Sequence, residues 1–291
     1  MPSRNIPSVR LRRIGSALRR AGSALRRARE DCGMTIETAS RRYGRSKGWL
    51  STLENGLHSI DRQELADLLD FYGVPDGPLR ESLLHLATHD PGKNWERIRE
   101  GRISAAALDL ASLEEDAELI RAFQPCLIPG LLQVPEYTRA LIAVGSPSTR
   151  RHCRALVDFR MRRQRVLNRA DPPRYAAVIG EAALRYHVGD AAVMNAQMRR
   201  LANAARSEAI EIRILPEAAG AYLWLAGPFD LFRLRPPGRL SVTVVEQFSK
   251  SVFVDDEAEV AEHEEIFAKL LAVSLDRGLS LELIERIAST P

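Results

Sequence analysis

Residues Thr35 to Gly56 decide the fold of the first part of this chain and read TIETASRRYGRSKGWLSTLENG. Thr35 can cap a helix that runs to Tyr43, because its hydroxyl can accept an N–H that the first helical turn leaves unpaired. Gly44 ends that helix, since glycine adopts the left-handed conformation of a helix exit. Ser46 caps a second helix, which closes at Gly56. The stretch therefore predicts two short helices joined by a tight turn.

The outer face of the second helix carries cations and hydroxyls, namely Arg45, Lys47, Ser51 and Thr52. Cations bind phosphate, and hydroxyls bind phosphate or base edges. This pattern is typical of a DNA-binding helix-turn-helix whose second helix enters the major groove. An ordinary helical hairpin can have the same spacing. We interpret the stretch as a DNA reader because its surroundings are strongly basic.

The charge of the chain is divided unevenly. Residues 1–60 hold thirteen arginines and lysines against four acidic residues, a balance of +9. The remaining residues hold 29 basic and 34 acidic side chains, a balance of −5. A basic N-terminal segment followed by a mildly acidic remainder indicates a polyanion-binding module joined to a domain that does not bind nucleic acid.

Composition argues against several other classes of protein. A length of 291 residues with 45% hydrophobic content predicts about two globular domains. Cys32, Cys126 and Cys153 form no CxxC pair, which favours reduced thiols and no cysteine zinc site. No apolar run reaches the ~18 residues of a membrane helix, and the arginine-rich start lacks the apolar core of an export signal. We expect a cytoplasmic protein that binds no metal and no cofactor.

A duplicated basic segment precedes the reader. The sequence GSALRRA at Gly15–Ala21 recurs at Gly22–Ala28. Because glycine costs about 1 kcal/mol inside a helix, we expect a core helix that begins near Gly22 or Ser23. Residues 1–21 would then form a basic arm that can contact backbone phosphates.

Two further helices are predicted after the reader. Asp61 caps a helix that runs to Tyr72, and a fifth helix over residues 78–88 completes a bundle that spans residues 22–89. Glu81, His85 and His89 share one face of the fifth helix. Surface histidine pairs are common and the HExxH pattern is absent, so no metal site is predicted.

A linker over residues 90–102 leads to a larger domain over residues 103–291. Its first part, Leu108 to Phe123, is predicted to be helical. Short β-branched segments predict a sheet of five strands at Tyr175–Ile179, Ile210–Leu215, Phe229–Leu234, Val242–Gln247 and Val252–Val254. Helices are predicted at Ala192–Ala205, Asp256–Ser274 and Leu279–Ala288. The predicted fold class is a mainly α, five-helix DNA-binding bundle followed by a larger α+β domain.

Three motifs occur together in residues 22–89: a GxxLRxxRExxG start, a TxxxAxxxG second helix and an SxxxLSxLENG recognition helix. In combination they resemble the Xre (Cro-type) helix-turn-helix family. The resemblance implies a structural ion pair between Arg29 of the first helix and Glu54 at the end of the recognition helix. Ile36 departs from the family, which often has a phosphate-contacting Gln there. With the family's reading positions added, the predicted DNA-contacting set is Thr35, Arg45, Ser46, Lys47, Gly48, Trp49, Ser51 and Thr52.

Five short motifs mark the larger domain: PGLLQ at Pro129–Gln133, EAALR at Glu181–Arg185, LPxxxGA at Leu215–Ala221, GPF at Gly227–Phe229 and VVE at Val244–Glu246. Their order is similar to that of the uncharacterised C-terminal domain that follows the Xre module in actinobacterial regulators. Some of those regulators are treated as antitoxin-like. Tyr222, Leu223 and Trp224 depart from the His, Pro and Gly that are more common there.

Two functions of different classes remain open on the sequence. One is a sequence-specific transcriptional regulator that places the recognition helix, residues 46–54, in the major groove of double-stranded DNA. It would act as a homodimer and use its C-terminal domain for dimerisation and for signal or partner binding. The other is an antitoxin-like interaction protein that binds a small partner protein encoded nearby and binds DNA for autoregulation. Glu181 and Glu246 at strand ends are interpreted as structural, and no enzyme is expected.

Overall fold

The structure is a computed structural model that describes residues 16–55, 60–77, 80–81, 83–84, 103–145, 150–219, 227–235, 241–246 and 251–289. The described residues up to Asp116, together with Leu234 and Arg235, pack as one compact unit. The other described residues pack as a second unit. A helical first region followed by a larger α+β region confirms the predicted fold class.

The helices whose bounds the structure describes in the first unit are α1 Ser16–Asp31, α2 Ile36–Tyr43, α3 Lys47–Glu54, α4 Arg62–Phe71 and α5 Ala105–Asp116. Residues 80–81 and 83–84 are also helical, and the rest of the helix predicted over 78–88 lies outside the described residues. The same is true of the predicted linker at 90–102, of residues 1–15 of the predicted arm, and of His85 and His89.

Helix caps and an apolar core hold the first four helices. Thr35, Ser46 and Asp61 cap α2, α3 and α4 by accepting backbone N–H groups of the first turn. Gly44 ends α2 with a φ of 75°, in the left-handed region. The core contains buried side chains from every one of these helices, among them Leu25, Ala39, Leu50, Leu53, Leu65 and Leu68. The inner face of α3 is thus fixed, which leaves its other face to the surface.

The first helix starts earlier than predicted. We expected it to begin near Gly22 or Ser23, but the chain is helical from Ser16, so residues 16–21 continue into α1. Gly22 lies inside this helix, next to the end of α3. A Cβ at position 22 would come within 2.6 Å of the Glu54 carbonyl oxygen. The close approach of α1 to α3 therefore requires this glycine.

A six-stranded mixed sheet forms the second unit, in the order β3-β2-β1-β4-β5-β6. The strands are β1 Ala117–Gln124, β2 Arg174–Gly180, β3 Ile210–Leu215, β4 Phe229–Leu234, β5 Ser241–Glu246 and β6 Ser251–Val254. β1, β2 and β3 are parallel, whereas β4, β5 and β6 pair antiparallel. The Arg235 N–H, just past β4, donates to the carbonyl of Asp116, just before β1, at 2.9 Å, so β4 is antiparallel to β1. The ends of β1, β2, β3 and β5 therefore lie at the same edge of the sheet as the start of β4.

The first strand of this sheet was not predicted. We expected one helix from Leu108 to Phe123, and this prediction was wrong, because α5 ends at Asp116 and β1 follows directly. β1 lies between β2 and β4 and pairs with both of them. Pairing with strands that are distant in sequence overrides the local helix preference of this segment. The other five strands lie within one residue of their predicted bounds, as far as the described residues extend.

Helices surround the sheet in the second unit: α6 Pro135–Gly145, α7 Arg150–Arg163, α8 Glu181–Arg185, α9 Ala191–Ala205, α10 Glu257–Val273 and α11 Arg277–Ser289. Short 3-10 turns occur at Gly130–Leu132, Gln164–Asn168 and Glu217–Ala219. The three cysteines are free thiols. None of the helices in the described part of the chain has the length and hydropathy needed to cross a membrane.

Candidate nucleic-acid interface

Two hydroxyl groups position the helices of the predicted reader. The Thr35 hydroxyl accepts the N–H of Thr38 at 3.1 Å, and the Ser46 hydroxyl accepts the N–H of Trp49 at 3.0 Å. Both Thr35 and Ser46 are exposed. Because the Ser46 cap uses its oxygen as an acceptor, its hydroxyl proton can still be donated to a phosphate oxygen.

A buried ion pair fixes the C-terminal end of α3. Arg29 Nε lies 2.7 Å from Glu54 Oε1, and Arg29 Nη2 lies 3.0 Å from Glu54 Oε2, so the contact is bidentate. Only 6% of the Arg29 side chain and 4% of the Glu54 side chain are exposed. The hydrogen bond from Arg29 to Glu54 raises the pKa of Arg29. A further bond from Arg29 to the Met34 carbonyl, at 2.6 Å, ties α1 to the loop before α2.

An exposed ion pair lies at the opposite, N-terminal end of α3. Lys47 Nζ lies 2.5 Å from Glu37 Oε1, and the two side chains are 58% and 68% exposed. The hydrogen bond from Lys47 lowers the pKa of Glu37. Sequence reasoning did not predict a role for Glu37, because only the fold brings the first turn of α2 next to the first turn of α3.

Arg45, in the turn between α2 and α3, is held by two neighbours. Its guanidinium forms an ion pair with Glu64 of α4. It also lies over the Trp49 ring, 5.2 Å from the ring centroid. Trp49 in turn stacks on Tyr43, with 6.3 Å between ring centroids. These contacts direct Arg45 towards α4, and they make the half-buried Trp49 part of the bundle as well as of its surface.

The remaining predicted contacts share the outward side of α3. Gly48 and Thr52 are exposed and lie four residues apart, so they are neighbours on one helix face. Ser51 is half-buried and lies four residues after Lys47, so these two residues are also neighbours on the helix. The Thr52 hydroxyl donates to the Trp49 carbonyl at 2.8 Å and keeps its acceptor capacity. We call the surface formed by Lys47, Gly48, Ser51 and Thr52 the reader face.

Two family models match the chain. One, described as a helix-turn-helix domain, matches residues 20–83. The other, described as a domain of unknown function, DUF5753, matches residues 107–286, which is more than half of the 291 residues. The chain belongs to the DUF5753 family. No curated protein and no solved structure gives a significant match. The first match identifies a module of the DNA-binding helix-turn-helix type.

The PGLLQ motif of the DUF5753 domain forms a tightly held turn after β1. Three buried glutamines donate side-chain N–H groups to backbone carbonyls of this segment, at distances between 2.7 and 2.9 Å, and they are Gln133, Gln164 and Gln197. Gln197 also accepts the N–H of Val134 at 2.8 Å. Because buried backbone groups must be paired, the glutamines supply hydrogen-bond partners that this loop needs.

The other motifs of the DUF5753 domain lie at the same edge of the sheet. Glu181 follows β2, Leu215 ends β3, Phe229 begins β4 and Glu246 ends β5. Glu181 accepts the N–H of Glu217 at 3.3 Å and binds Arg185 at 2.5 Å, and the hydrogen bond from Arg185 lowers its pKa. Motifs that are far apart in sequence therefore meet where parallel strands end, the usual position of ligand sites in α/β sheets. Tyr222, Leu223 and Trp224 lie outside the described residues.

A pocket of about 300 Å³ lies beside this edge in the second unit. Its lining is mainly apolar, with a few polar groups, and consists of Leu184, Arg185, His187, Ala191, Met194, Asn195, Met198 and Ile287. Methionine side chains adapt to ligands of different shape. A pocket of this kind can hold a small, largely apolar molecule.

Proposed function

We propose that this DUF5753 protein is a sequence-specific transcriptional regulator of the Xre type, whose α3 enters the major groove of double-stranded DNA. The reader face is the observation that carries the proposal, because it joins a cation, a glycine without close neighbours and two hydroxyl side chains on the outward side of α3. The balance of +9 in residues 1–60 adds attraction for phosphates. The match to a helix-turn-helix domain supports the same function.

Gly48 supports a groove contact beyond what the family match implies. A Cβ at this position would meet only Ser46 Oγ, at 3.9 Å, so neighbouring atoms do not require a glycine. No positive φ requires it either, since Gly48 is helical. Glycine lowers helix stability by up to about 1 kcal/mol relative to alanine. A bare backbone on the reader face would allow close approach to DNA, which accounts for a residue that the fold does not need.

We further propose that the protein acts as a homodimer and that its C-terminal domain receives a signal. Helix-turn-helix dimers place their recognition helices on half-sites about 34 Å apart, so a dimer predicts a palindromic operator. The pocket and the clustered motifs at the sheet edge support signal reception. The antitoxin-like alternative rests on sequence resemblance alone. A small protein, encoded nearby, that copurifies with the chain would favour it.

The test is selection of binding sites from a random-sequence DNA library with the full chain, followed by footprinting on the enriched site. Lys47→Ala and Thr52→Ala are compared with Lys269→Ala, which removes an exposed lysine from the second unit. We expect each reader-face variant to bind the enriched site at least about fivefold more weakly, because a good base contact contributes ~1–3 kcal/mol. The Lys269→Ala control is expected to bind like the wild type.

Two outcomes would contradict the proposal. If the wild type enriches no sequence, it is not a sequence-specific DNA-binding protein. If Lys47→Ala and Thr52→Ala both protect the same site with unchanged affinity, another surface reads DNA.

A further inference from the structure

The pocket beside the sheet edge has an apolar interior and a polar rim. Three of its lining residues are apolar and at most 9% exposed, namely Leu184, Met194 and Met198. Its polar lining residues are more accessible, since Arg185 and His187 are exposed and Asn195 is half-buried. A buried apolar surface favours a hydrocarbon group, and the accessible polar groups decide which head group can accompany it. The pocket therefore suits a molecule with two unlike ends.

The polar rim favours a negatively charged head group. Arg185 carries a positive charge, and the amide of Asn195 and the ring of His187 can each donate a hydrogen bond. No acidic residue occurs among the described residues that line the pocket. A carboxylate at the rim would accept charge-assisted hydrogen bonds, whereas Arg185 would repel a cation.

Arg185 can bind such a head group without leaving its present partner. Its Nε and Nη2 atoms donate to Glu181 Oε1 at 3.1 and 2.5 Å. The other oxygen of Glu181 accepts the N–H of Glu217, which ties the carboxylate to the turn after β3. These bonds do not involve Nη1 of Arg185, whose N–H groups can turn to a ligand carboxylate. Glu181 therefore positions the guanidinium, and a ligand does not have to break the pair.

The volume of the pocket limits the size of its ligand. The cavity measures about 300 Å³. At ~30 Å³ of liquid volume for each water-sized group, it holds about ten non-hydrogen atoms. A carboxylate with a hydrocarbon chain of medium length, such as octanoate, has this size. Met194 and Met198 are unbranched and flexible, so they can adjust to the chain.

We propose that this pocket is a binding site for a small amphipathic anion, whose hydrocarbon part packs on Leu184, Met194 and Met198 and whose carboxylate binds Arg185. The proposal rests on the proposed function of the C-terminal domain in receiving a signal, and it names the chemical class of that signal.

The test is isothermal titration of the full chain with octanoate, butyrate and 1-octanol. We expect octanoate to bind at one site with a Kd on the order of 0.1–1 mM, as is usual for a ligand of this size. Butyrate should bind at least about tenfold more weakly, because it buries fewer methylene groups. 1-Octanol should also bind about tenfold more weakly, because it has the same chain but no charge for Arg185.

One pair of variants tests the place of the hydrocarbon chain. Ala191 lines the pocket and is exposed in the first turn of α9, so Ala191→Trp fills the cavity without disturbing the core. Binding of octanoate to this variant should fall at least about tenfold. Ala192→Trp is the matched control, because Ala192 is the next residue of the same helix, is exposed and does not line the pocket. It should bind octanoate like the wild type.

A second pair tests the place of the carboxylate. Arg185→Gln should reduce the preference for octanoate over 1-octanol from about tenfold to less than about threefold, because both probes then meet a neutral side chain. Arg206→Gln is the control, since Arg206 is an exposed arginine that binds Glu285 and does not line the pocket. It should keep the wild-type preference. A melting temperature near that of the wild type verifies that each variant is folded.

The outcomes separate the ligand site from the DNA-binding function, because the titration contains no DNA. If octanoate does not bind, if 1-octanol binds equally well, or if Ala191→Trp binds octanoate like Ala192→Trp, the proposed ligand site is wrong while the reader face stands. If octanoate binds as expected but the wild type selects no DNA sequence, the ligand site stands and the proposed function fails.

Discussion

Two glycines lie near opposite ends of the recognition helix α3, one packed against it from α1 and one within it. Their surroundings are opposite. Gly22 of α1 faces the C-terminal end of α3, where an added Cβ would come within 2.6 Å of the Glu54 carbonyl oxygen. Gly48 lies in the first turn of α3, where an added Cβ would have no neighbour closer than 3.9 Å. The fold requires the first glycine and does not require the second.

The ion pairs of α3 show the same difference. Arg29 and Glu54 are buried at its C-terminal end, whereas Lys47 and Glu37 are exposed at its N-terminal end. One end of the helix is therefore fixed by packing, and the other carries charges that a partner can rearrange. This difference predicts that changes at the C-terminal end reduce stability, while changes at the N-terminal end alter DNA binding.

The largest expected effect is that of Arg29→Ala. It leaves the Glu54 carboxylate buried without its partner, so we expect the free energy of unfolding of the bundle to fall by about 3–5 kcal/mol. Thermal melting followed by circular dichroism measures this loss. Arg26→Ala is the matched control, because it removes an arginine of the same helix whose pair with Glu30 is exposed. An Arg29→Ala variant that melts like Arg26→Ala would show that the buried pair does not support the bundle.

Gly22→Ala should have the next largest effect. The added methyl group would collide with backbone atoms at the end of α3, which cannot move aside as a flexible side chain can. Overpacking of this kind costs about 1–3 kcal/mol, more than the improved helix propensity returns. Urea denaturation of the full chain measures the change. A variant as stable as the wild type would mean that α1 and α3 can separate without cost.

Gly48→Ala makes the opposite prediction with the same chemical change. The methyl group fits without a clash, so the melting temperature should stay the same or rise. Binding to the enriched site should weaken by about tenfold. The methyl group would hold the helix away from the groove and lengthen its hydrogen bonds to DNA beyond the usual donor–acceptor distance. A titration with labelled duplex measures this. Unchanged affinity would remove Gly48 from the reader face.

Tyr72→Phe should have the smallest effect of these variants. The Tyr72 hydroxyl is buried and bonds to no group among the described residues, so its removal should stabilise the bundle by about 1 kcal/mol. Burial raises the pKa of Tyr72, whereas the unfolded phenol ionises near pH ~10. The stability that neutral Tyr72 contributes is therefore fully present below about pH 10 and is lost as the pH rises towards the folded pKa.

Urea denaturation of the wild type and Tyr72→Phe at neutral pH and at about pH 10.5 tests this pH dependence. The advantage of the phenylalanine variant should widen at the higher pH, because only the wild type loses stability through Tyr72. An advantage that stays constant or shrinks would mean that the folded pKa is not raised.

The sequence predicted the helix-turn-helix well because its signals are local. The Thr35 and Ser46 caps and the left-handed exit at Gly44 are all encoded within a few residues of the helix ends they define. It did not predict the place of Gly22 inside α1 or the contact of Glu37 with Lys47. Both depend on how helices cross, and spacing along one helix carries no information about that.

The same reason explains the missed strand in the larger domain. The residues of β1 have a local pattern compatible with helix, and only pairing with β2 and β4 makes them a strand. The strands that were predicted, such as Ile210–Leu215, are rich in β-branched residues, so each can be recognised from its own residues without knowing which strands pair with it. The convergence of five motifs at one sheet edge likewise follows from topology, which the order of motifs does not reveal.

The most direct test of the reader face is affinity cleavage from Thr52. In a chain whose native cysteines are replaced by serine, Thr52→Cys carries a DNA-cleaving iron chelate, and Glu30→Cys carries the same chelate on α1. Each protein is used at a concentration that saturates the enriched site, because a change at Thr52 weakens binding. If α3 enters the major groove, cuts from position 52 fall inside the footprint of the enriched site, and cuts from position 30 are absent or lie outside it. Cuts from position 52 that fall outside the footprint, or cleavage by the Glu30→Cys protein alone, would contradict the assignment of α3 as the DNA reader.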